Sequence, residues 1–293
     1  MPLSTTAQLV RSRVETITHT CHSIVYFYKT EPTTVWKSDS IWIDGEQYGK
    51  LTTAENTSAD LSREHTIYQA LGNHPHITQC FGLEKDKTGD AIALRIERAK
   101  CDLRGFIEAS IRPSTKQRLA MASALVEGVQ YLHSCKVFWG DLSTRNTLVF
   151  DKMNLKLCDF ASAALEGVYP EFGHYTYEVR YWPALPQDDI EQLSMYQKEL
   201  FALGSAIYEI TEWEKPYAKV DDNDIDQVLH SGQRPTISDW NCARDIIMRC
   251  WDFEYSSKTS KCDDTSAIEK KIMQSFPEPS DEPVCTHRES QWG

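Results

Sequence analysis

Two short apolar runs in the middle of the chain, residues 147–150 and 155–158, are separated by four residues that favour a turn. This arrangement predicts a β-hairpin. A hairpin returns the chain to its starting point, so the residues that flank it, Asn146 and Asp159, are expected to lie side by side at its open end. Any fold of this chain must therefore bring together two polar side chains that are distant in sequence.

A third polar residue, Asp141, lies on the loop that leads into this hairpin. Oxygens such as those of Asn146 and Asp159 suit Mg²⁺, which takes one or two protein ligands and completes its shell with water and phosphate. Asp141 is then placed to accept a proton from a hydroxyl that attacks the phosphate. Each residue alone is more often an ordinary turn residue, but three at this spacing favour a phosphate-transfer site.

The same stretch resembles the eukaryotic protein kinase family. Residues 141–146 (Asp-Leu-Ser-Thr-Arg-Asn) are similar to its catalytic loop, from the Asp to the metal-binding Asn, and residues 159–161 (Asp-Phe-Ala) are similar to its Asp-Phe-Gly motif. The resemblance covers residues 14–251. It implies an α+β fold with two lobes: an N-lobe (1–97) of antiparallel strands plus one helix, and a mainly helical C-lobe (98–255).

The resemblance also assigns roles to two charged residues of the N-lobe. Residues 23–28 and 33–37 predict a strand pair that ends on Lys37, which would contact the ATP phosphates. The apolar spacing of residues 58–71 predicts a helix, on which Glu64 would pair with that lysine. Taken singly, a strand lysine is usually just solvated, and Glu64 is as readily a surface residue as a partner of Lys37.

The resemblance implies that ATP and Mg²⁺ bind between the lobes. Val25 would pack above the adenine ring and Leu148 below it. A strand predicted over residues 91–96 leads into Glu97 and Ala99, at a position similar to the hinge whose backbone groups hold adenine. Together with the metal ligands Asn146 and Asp159, these residues form the predicted nucleotide site.

Several positions depart from the family pattern. Residues 15–22, where the phosphate-covering loop is expected, contain no glycine, although glycine lets backbone N–H groups approach phosphate closely. Trp139 and Gly140 replace the usual His-Arg before Asp141, and Ala161 replaces a glycine. No Ala-Pro-Glu motif is present.

Gly140 bears on regulation. The arginine that it replaces normally pairs with a phosphorylated activation segment, and Gly140 has no side chain to do so. The activation segment here runs to about residue 186 and carries Tyr175, Thr176 and Tyr177 near its middle. We predict that phosphorylation of this segment does not switch the protein on.

Helices are expected in the C-lobe over residues 103–109, 116–135, 199–210, 221–230 and 239–251. The helix at 199–210 is apolar nearly all round and should be buried. Its Glu199 stands where the family has an Asp that supports the catalytic-loop backbone. Residues 256–293 are polar and Pro-rich, and we expect this tail to be disordered.

Composition limits the partners. A net charge of −12 over 293 residues argues against nucleic acid or an anionic membrane as a main partner, since both require clustered Lys and Arg. Nine cysteines without a Cys-x-x-Cys pair fit reduced thiols. The first residues lack the apolar core of a signal peptide, so we expect a cytoplasmic or nuclear protein.

The sequence therefore predicts a protein kinase that uses ATP and Mg²⁺ to phosphorylate a protein substrate. Ser143 follows Leu142 where Ser/Thr kinases carry a lysine, which leaves Ser, Thr and Tyr acceptors open. One alternative is a pseudokinase that serves as a binding module or scaffold, which the glycine-free loop favours. A small-molecule kinase of the same fold is less favoured, because residues 199–210 and 249–251 resemble the C-lobes of protein kinases.

Overall fold

The computed structural model describes residues 5–20, 22–52, 56–172, 178–256 and 261–274. An antiparallel sheet and one long helix make up the first part of the chain, and helices dominate after residue 102. This confirms the predicted α+β, two-lobed fold class. Within these ranges, none of the helices combines the length and the apolarity needed to cross a membrane. The predicted activation-segment residues Tyr175, Thr176 and Tyr177 lie outside the described residues.

The first sheet has five strands in the order β1-β2-β3-β7-β6, and all neighbours are antiparallel. The predicted strand pair at 23–37 is confirmed as β2 and β3 of this sheet. β3 lies at its centre and is buried along its whole length. The strands are β1 (Val14–His19), β2 (Ile24–Tyr28), β3 (Thr34–Ser38), β6 (Cys80–Lys85) and β7 (Ala91–Glu97).

One face of this sheet is covered by an insertion between β3 and the long helix. The insertion forms a hairpin of β4 (Ile41–Ile43) and β5 (Glu46–Tyr48), and the N-terminal helix α1 (Thr5–Arg13) lies beside it. Asp44 and Gly45 make its turn with φ angles of 52° and 84°. This hairpin and the sheet bury one of the apolar clusters, which includes Tyr26, Trp36 and Ile43.

The other face of the sheet packs on helix α2 (Thr57–Leu71). The predicted helix is confirmed, and its apolar residues Leu61, Ile67, Tyr68 and Leu71 are buried. Glu64 lies on the same buried face. A carboxylate on an apolar face needs a partner, and the sheet supplies it (see below).

The helical half is built around α6 (Met195–Glu212), which is buried at every position from 199 to 211, as predicted. Both α4 and α8 pack against it. Capping boxes begin α4 and α6, in which Ser114 pairs with Gln117 and Ser194 with Gln197. The other helices are α3 (Leu103–Ala109), α4 (Thr115–Ser134), α5 (Gln187–Gln192), α7 (Ile225–His230) and α8 (Arg244–Trp251).

Short strands line the junction between the two halves. β10 (Thr147–Val149) pairs with β8 (Cys101–Asp102) and with β11 (Leu155–Leu157), and β9 (Val137–Phe138) pairs with β12 (Ala164–Leu165).

The expectation of a disordered tail from residue 256 onward is wrong for part of that range. Residues Lys261–Gln274 form helix α9, which packs against α4. Ile268 and Ile272, four residues apart, are fully buried in the main core, and Ala267 packs against it. This narrow apolar stripe is diluted by polar neighbours, so composition alone conceals it. Residues 257–260 and 275–293 lie outside the described residues.

Candidate active site

The hairpin that flanks the candidate metal ligands forms as predicted. β10 pairs with β11, with Thr147 opposite Leu157. One residue beyond the ladder, the Cys158 N–H donates to the Asn146 carbonyl at 2.9 Å. Asn146 and Asp159 therefore emerge from the same end of the hairpin.

Lys37 lies between two acids that come from different parts of the chain. Its Nζ donates to Glu64 Oε2 at 2.8 Å and to Asp159 Oδ1 at 2.7 Å. The Lys37 side chain is 11% exposed, that of Glu64 1% and that of Asp159 38%. The second Glu64 oxygen accepts the backbone N–H of Phe160 at 3.1 Å. Glu64 thus fixes both the lysine and the backbone of the Asp-Phe-Ala motif.

The electrostatics of this trio keep the lysine charged. Burial alone would lower the pKa of Lys37, but Asp159 and Glu64 outweigh it and raise the pKa. Burial raises the pKa of Glu64 against the pull of Lys37. For Asp159, burial acts in the same direction but is overcome by Lys37, so its pKa is lowered. Asp159 is the more exposed acid and keeps its negative charge beside the lysine.

Asp141 and Asn146 are joined directly. Asn146 Nδ2 donates to the Asp141 carbonyl at 2.9 Å and to its Oδ2 at 2.8 Å. Burial, followed by the charge of Asp159, raises the pKa of Asp141 to about 7. A general base works best when its pKa lies near the operating pH, so this carboxylate is suited to taking a proton from a hydroxyl.

The donor set suits Mg²⁺. The amide nitrogen of Asn146 donates to Asp141. In the part of the chain that the structure describes, its Oδ1 takes part in no hydrogen bond and is left to bind a metal ion. The described ranges contain no cluster of three or more His, Cys, Asp or Glu side chains arranged for a metal. Two hard oxygen ligands are what a Mg²⁺ ion that also binds phosphate and water requires.

Glu199 supports the catalytic-loop backbone from helix α6. Its Oε2 accepts the N–H of Trp139 at 2.6 Å and that of Gly140 at 3.2 Å. Its Oε1 lies 2.6 Å from His133 Nε2, at the end of α4. The longer side chain of Glu199 thus still reaches the loop, and His133 contacts its carboxylate from the end of α4.

Trp139, which replaces the usual His before Gly140 and Asp141, makes both packing and hydrogen-bond contacts with the Asp-Phe-Ala motif. The buried indole packs against Phe160, with ring centroids 5.9 Å apart. Its Nε1–H also donates to the carbonyls of Cys158 and Asp159, at 3.1 and 3.0 Å. Asp159 has a φ of 59°, a left-handed conformation that is costly outside glycine. Trp139 therefore holds the backbone of the candidate metal ligand in that conformation.

A buried charged network beneath the catalytic loop was missed by sequence reasoning. Arg104 donates to both oxygens of Glu209, and to Glu178 at 3.0 and 3.2 Å. Glu209 also accepts from Thr144 of the catalytic loop at 2.9 Å and from Tyr181 at 2.7 Å. The available signal was an acid inside an apolar helix, which demands a buried partner.

The four residues predicted to lie around adenine have different surroundings in the structure. Val25 pairs with Lys37 across β2 and β3, and both Val25 and Leu148 are half-buried, so their contact with adenine stays a prediction. The Glu97 carboxylate is engaged elsewhere, with Lys156 Nζ and the Gln79 N–H, both at 2.6 Å. Ala99 N–H and C=O have no hydrogen-bond partner among the described residues, so a backbone contact to adenine stays a prediction.

The phosphate-covering loop differs most from the family pattern G-x-G-x-x-G-x-V. Counting back from Val25, its three glycine positions hold Thr18, Thr20 and Ser23. Thr20 Oγ1 accepts the N–H groups of His22 and Ser23, at 3.2 and 3.0 Å. Backbone donors that would face a phosphate are thus already bonded within the loop.

Comparison with known proteins identifies the family of this chain. The chain matches the family described as protein tyrosine and serine/threonine kinase over residues 48–262. It is 26% identical to discoidin domain-containing receptor tyrosine kinase B of Caenorhabditis elegans over 70% of this chain and 27% of that protein. It is 26% identical to the BDNF/NT-3 growth factors receptor of Gallus gallus over 69% of this chain and 26% of the receptor.

A third relative is serine/threonine-protein kinase VIK of Arabidopsis thaliana, 26% identical over 70% of this chain and 48% of that protein. The matched region thus spans between about a quarter and a half of these relatives. The family match covers most of the chain, including α2, the catalytic loop and the Asp-Phe-Ala motif. The chain belongs to the protein kinase family.

Proposed function

We propose that this protein transfers the γ-phosphate of ATP, with Mg²⁺, to a Ser, Thr or Tyr hydroxyl of a protein substrate. One observation carries the proposal: Lys37 is held between Glu64 and Asp159, while Asn146 is bonded to Asp141 on the adjacent loop. Phosphoryl transfer depends on positioning and charge neutralisation, and these residues supply both. Relatives named as tyrosine and as serine/threonine kinases both match, in keeping with either acceptor class.

Each residue has a distinct task in this proposal. Lys37 neutralises the α and β phosphates, and Glu64 keeps its ammonium in place. Mg²⁺ bound by Asn146 and Asp159 would neutralise charge on the β and γ phosphates. Asp141 orients the acceptor hydroxyl and takes its proton, as the oxygen bonds to the γ-phosphorus and the bond to ADP breaks.

Arg145, the residue before Asn146, is a candidate cation for the acceptor side. Its side chain is 63% exposed, and its Nε lies 3.5 Å from Glu178 Oε2. Glu178 is 13% exposed and also bound by Arg104. In the proposed reaction Arg145 faces the incoming substrate, and Glu178 orients the Arg145 side chain.

A nucleotide-binding module without turnover is the second candidate. The hydroxyl residues at the three glycine positions favour it, since Thr20 occupies backbone donors that a phosphate would use. Asp141 opposes it, because burial and the charge of Asp159 raise the pKa of this carboxyl to about 7, near the pH at which a base must work.

Transfer of radiolabel from γ-labelled ATP to a mixture of protein substrates tests the proposal. The wild type should incorporate label only with Mg²⁺, and Asp141→Asn and Lys37→Met should each lose at least about a hundredfold. Asp151→Asn is a matched control, because Asp151 is an 84% exposed acid in the turn of the same hairpin. Equal incorporation by all variants would indicate a contaminating kinase and refute the proposal.

A further inference from the structure

Residues 162–172 follow the Asp-Phe-Ala motif, and their one described ion pair, between Glu166 and Lys136 at 3.8 Å, joins two exposed side chains. β12 pairs with β9, and Leu165 and Tyr169 exchange two backbone hydrogen bonds of 2.8 Å, which closes a tight turn. We call residues 162–172 the latch segment. It lies where the activation segment of the family begins, so its position affects the neighbouring site.

The latch segment fills the space beside Gly140. This glycine has a φ of 78°, and a Cβ built on it would lie 2.7 Å from Phe172 Cδ1 and 2.9 Å from the Ser162 carbonyl. Side-chain Cβ atoms do not approach other atoms so closely, and neither neighbour is the end of a long flexible chain. Position 140 therefore has no room for an arginine, because Phe172 packs there instead.

Arg63 grips the latch segment from helix α2. Its Nη2 donates to the Ala163 carbonyl at 2.8 Å and to the Glu171 carbonyl at 2.7 Å. Its guanidinium also lies 4.6 Å from the centre of the Tyr169 ring. All of these partners are neutral groups of the latch segment. The segment therefore binds the Arg63 guanidinium without carrying a phosphate.

Arg63 is adjacent to Glu64 in α2, and Glu64 holds both Lys37 and the Phe160 N–H. We propose that Arg63 and Phe172 are positioning residues: Phe172 anchors the latch segment beside Gly140, Arg63 joins α2 to that segment, and together they keep Lys37 paired with Glu64 in the unphosphorylated protein. The inference rests on the proposed function only in taking this lysine to bind nucleotide. Phosphorylation elsewhere in the segment would have no cation at position 140 to engage.

This arrangement couples two parts of the chain that are distant in sequence. Without the hydrogen bonds of Arg63, α2 can move away from the latch segment, and the Lys37–Glu64 pair is then formed in only a fraction of the molecules. The apparent affinity for nucleotide then falls by the fraction of molecules that retain the pair. Loosening should therefore appear in α2 and in the latch segment together.

Hydrogen–deuterium exchange on phosphatase-treated protein, free of nucleotide and with zero phosphates by intact mass, tests the coupling. Arg63→Met removes the hydrogen bonds between α2 and the latch segment, and Phe172→Ala removes the packing of that segment on Gly140. Each variant should speed exchange at residues 57–71 and 162–172 by about fivefold or more. Gln69→Met, at an exposed position of the same helix, should leave both unchanged. Arg63→Lys, which keeps the charge, should restore part of the protection.

Affinity for Mg·ATP provides the second readout, and Arg63→Met should weaken it about 5- to 30-fold. Two results would overturn the inference: fast exchange in both segments of the phosphatase-treated wild type, or wild-type exchange in both Arg63→Met and Phe172→Ala. Because exchange is measured without nucleotide, a wild type that fails to bind Mg·ATP would refute the proposed function, while faster exchange in Arg63→Met and Phe172→Ala than in the wild type would still support the role of the latch segment.

Discussion

The two sides of the cleft are held by different means. On the catalytic-loop side, Glu199, Trp139 and Thr144 are fixed by hydrogen bonds to residues from distant parts of the chain, and all three are buried. On the opposite side, five of the six residues of β1 are exposed, and among the described residues the tip of the β1–β2 hairpin is held by hydrogen bonds of Thr20 with His22 and Ser23.

The side of the cleft that carries the candidate catalytic residues is thus held more firmly than the β1–β2 hairpin that is expected to cover the nucleotide. The side that positions Asp141 and Asp159 is part of the folded core, so disturbing it should cost stability as well as activity. The exposed part of β1 and the hairpin tip contribute little to the core, so changes there should alter nucleotide binding and leave stability nearly unchanged. The following predictions test this contrast.

The largest effect is expected at Arg104. Arg104→Met leaves the buried Glu209 carboxylate without its guanidinium partner and should destabilise the protein by about 3–5 kcal/mol. Chemical denaturation followed by circular dichroism measures the change. Lys100→Met is the control, because Lys100 forms a surface pair with Asp151 that should contribute at most about 1 kcal/mol. A loss below about 1 kcal/mol in Arg104→Met would mean that the network does not hold the catalytic loop.

Trp139→Phe should have the next largest effect. It keeps an aromatic ring against Phe160 but removes the N–H that serves the Cys158 and Asp159 carbonyls, at a cost of about 1–3 kcal/mol. Affinity for Mg²⁺ in the presence of ATP should fall as well, because the Asp159 backbone is no longer held. Trp240→Phe, at a 52% exposed indole, serves as the control. Unchanged stability and metal affinity in Trp139→Phe would show that the indole only fills volume.

The pH dependence of the free energy of unfolding should reveal the cost of ionising the buried Asp141 carboxyl. Burial, followed by the charge of Asp159, raises the pKa of this carboxyl from 3.8 to about 7. Its contribution to stability is thus fully present below about pH 4 and is lost as the pH rises through 7. In metal-free buffer the wild type should lose roughly 1 kcal/mol per pH unit between pH 5 and 7 relative to Asp141→Asn. Parallel stability curves for the two proteins would contradict the buried-carboxylate account.

The smallest change is expected at the hairpin tip. Thr20→Ala releases the His22 and Ser23 N–H groups, and ATP affinity should rise by less than about tenfold, or 1.4 kcal/mol. Thr20→Ser keeps the hydroxyl and should behave as wild type, and the unfolding midpoint should barely move in either variant. A large loss of stability in Thr20→Ala would erase the contrast between the two sides.

Much of the fold follows from local pattern. Helix α3 has the predicted bounds, and the buried helix α6 follows from residues that are apolar on all sides. The β10–β11 hairpin was predictable because the apolar runs and the turn between them are contiguous. Lys37 and Glu64 were named through resemblance, since nothing in their immediate neighbourhood distinguishes them from surface charges.

The features that sequence reasoning missed depend on contacts between distant residues. The Phe172–Gly140 packing and the grip of Arg63 join positions that no periodicity relates. Helix α9 was missed because two isoleucines carry its buried face within a polar segment. The Arg104 network was detectable only in part, through the buried acid Glu209 in α6.

The central claim is that Lys37, Glu64, Asp141, Asn146 and Asp159 form one Mg·ATP site, and a ligand-induced stability shift tests it most directly. With Mg²⁺ and ATP at 100 times the dissociation constant, the wild type should gain about 2.7 kcal/mol of stability. Lys37→Met and Asp159→Asn at the same ligand concentrations should gain much less, and ATP with excess chelator should stabilise the wild type only weakly. An equal gain in all three proteins, or no metal-dependent gain in the wild type at millimolar ATP, would contradict the claim.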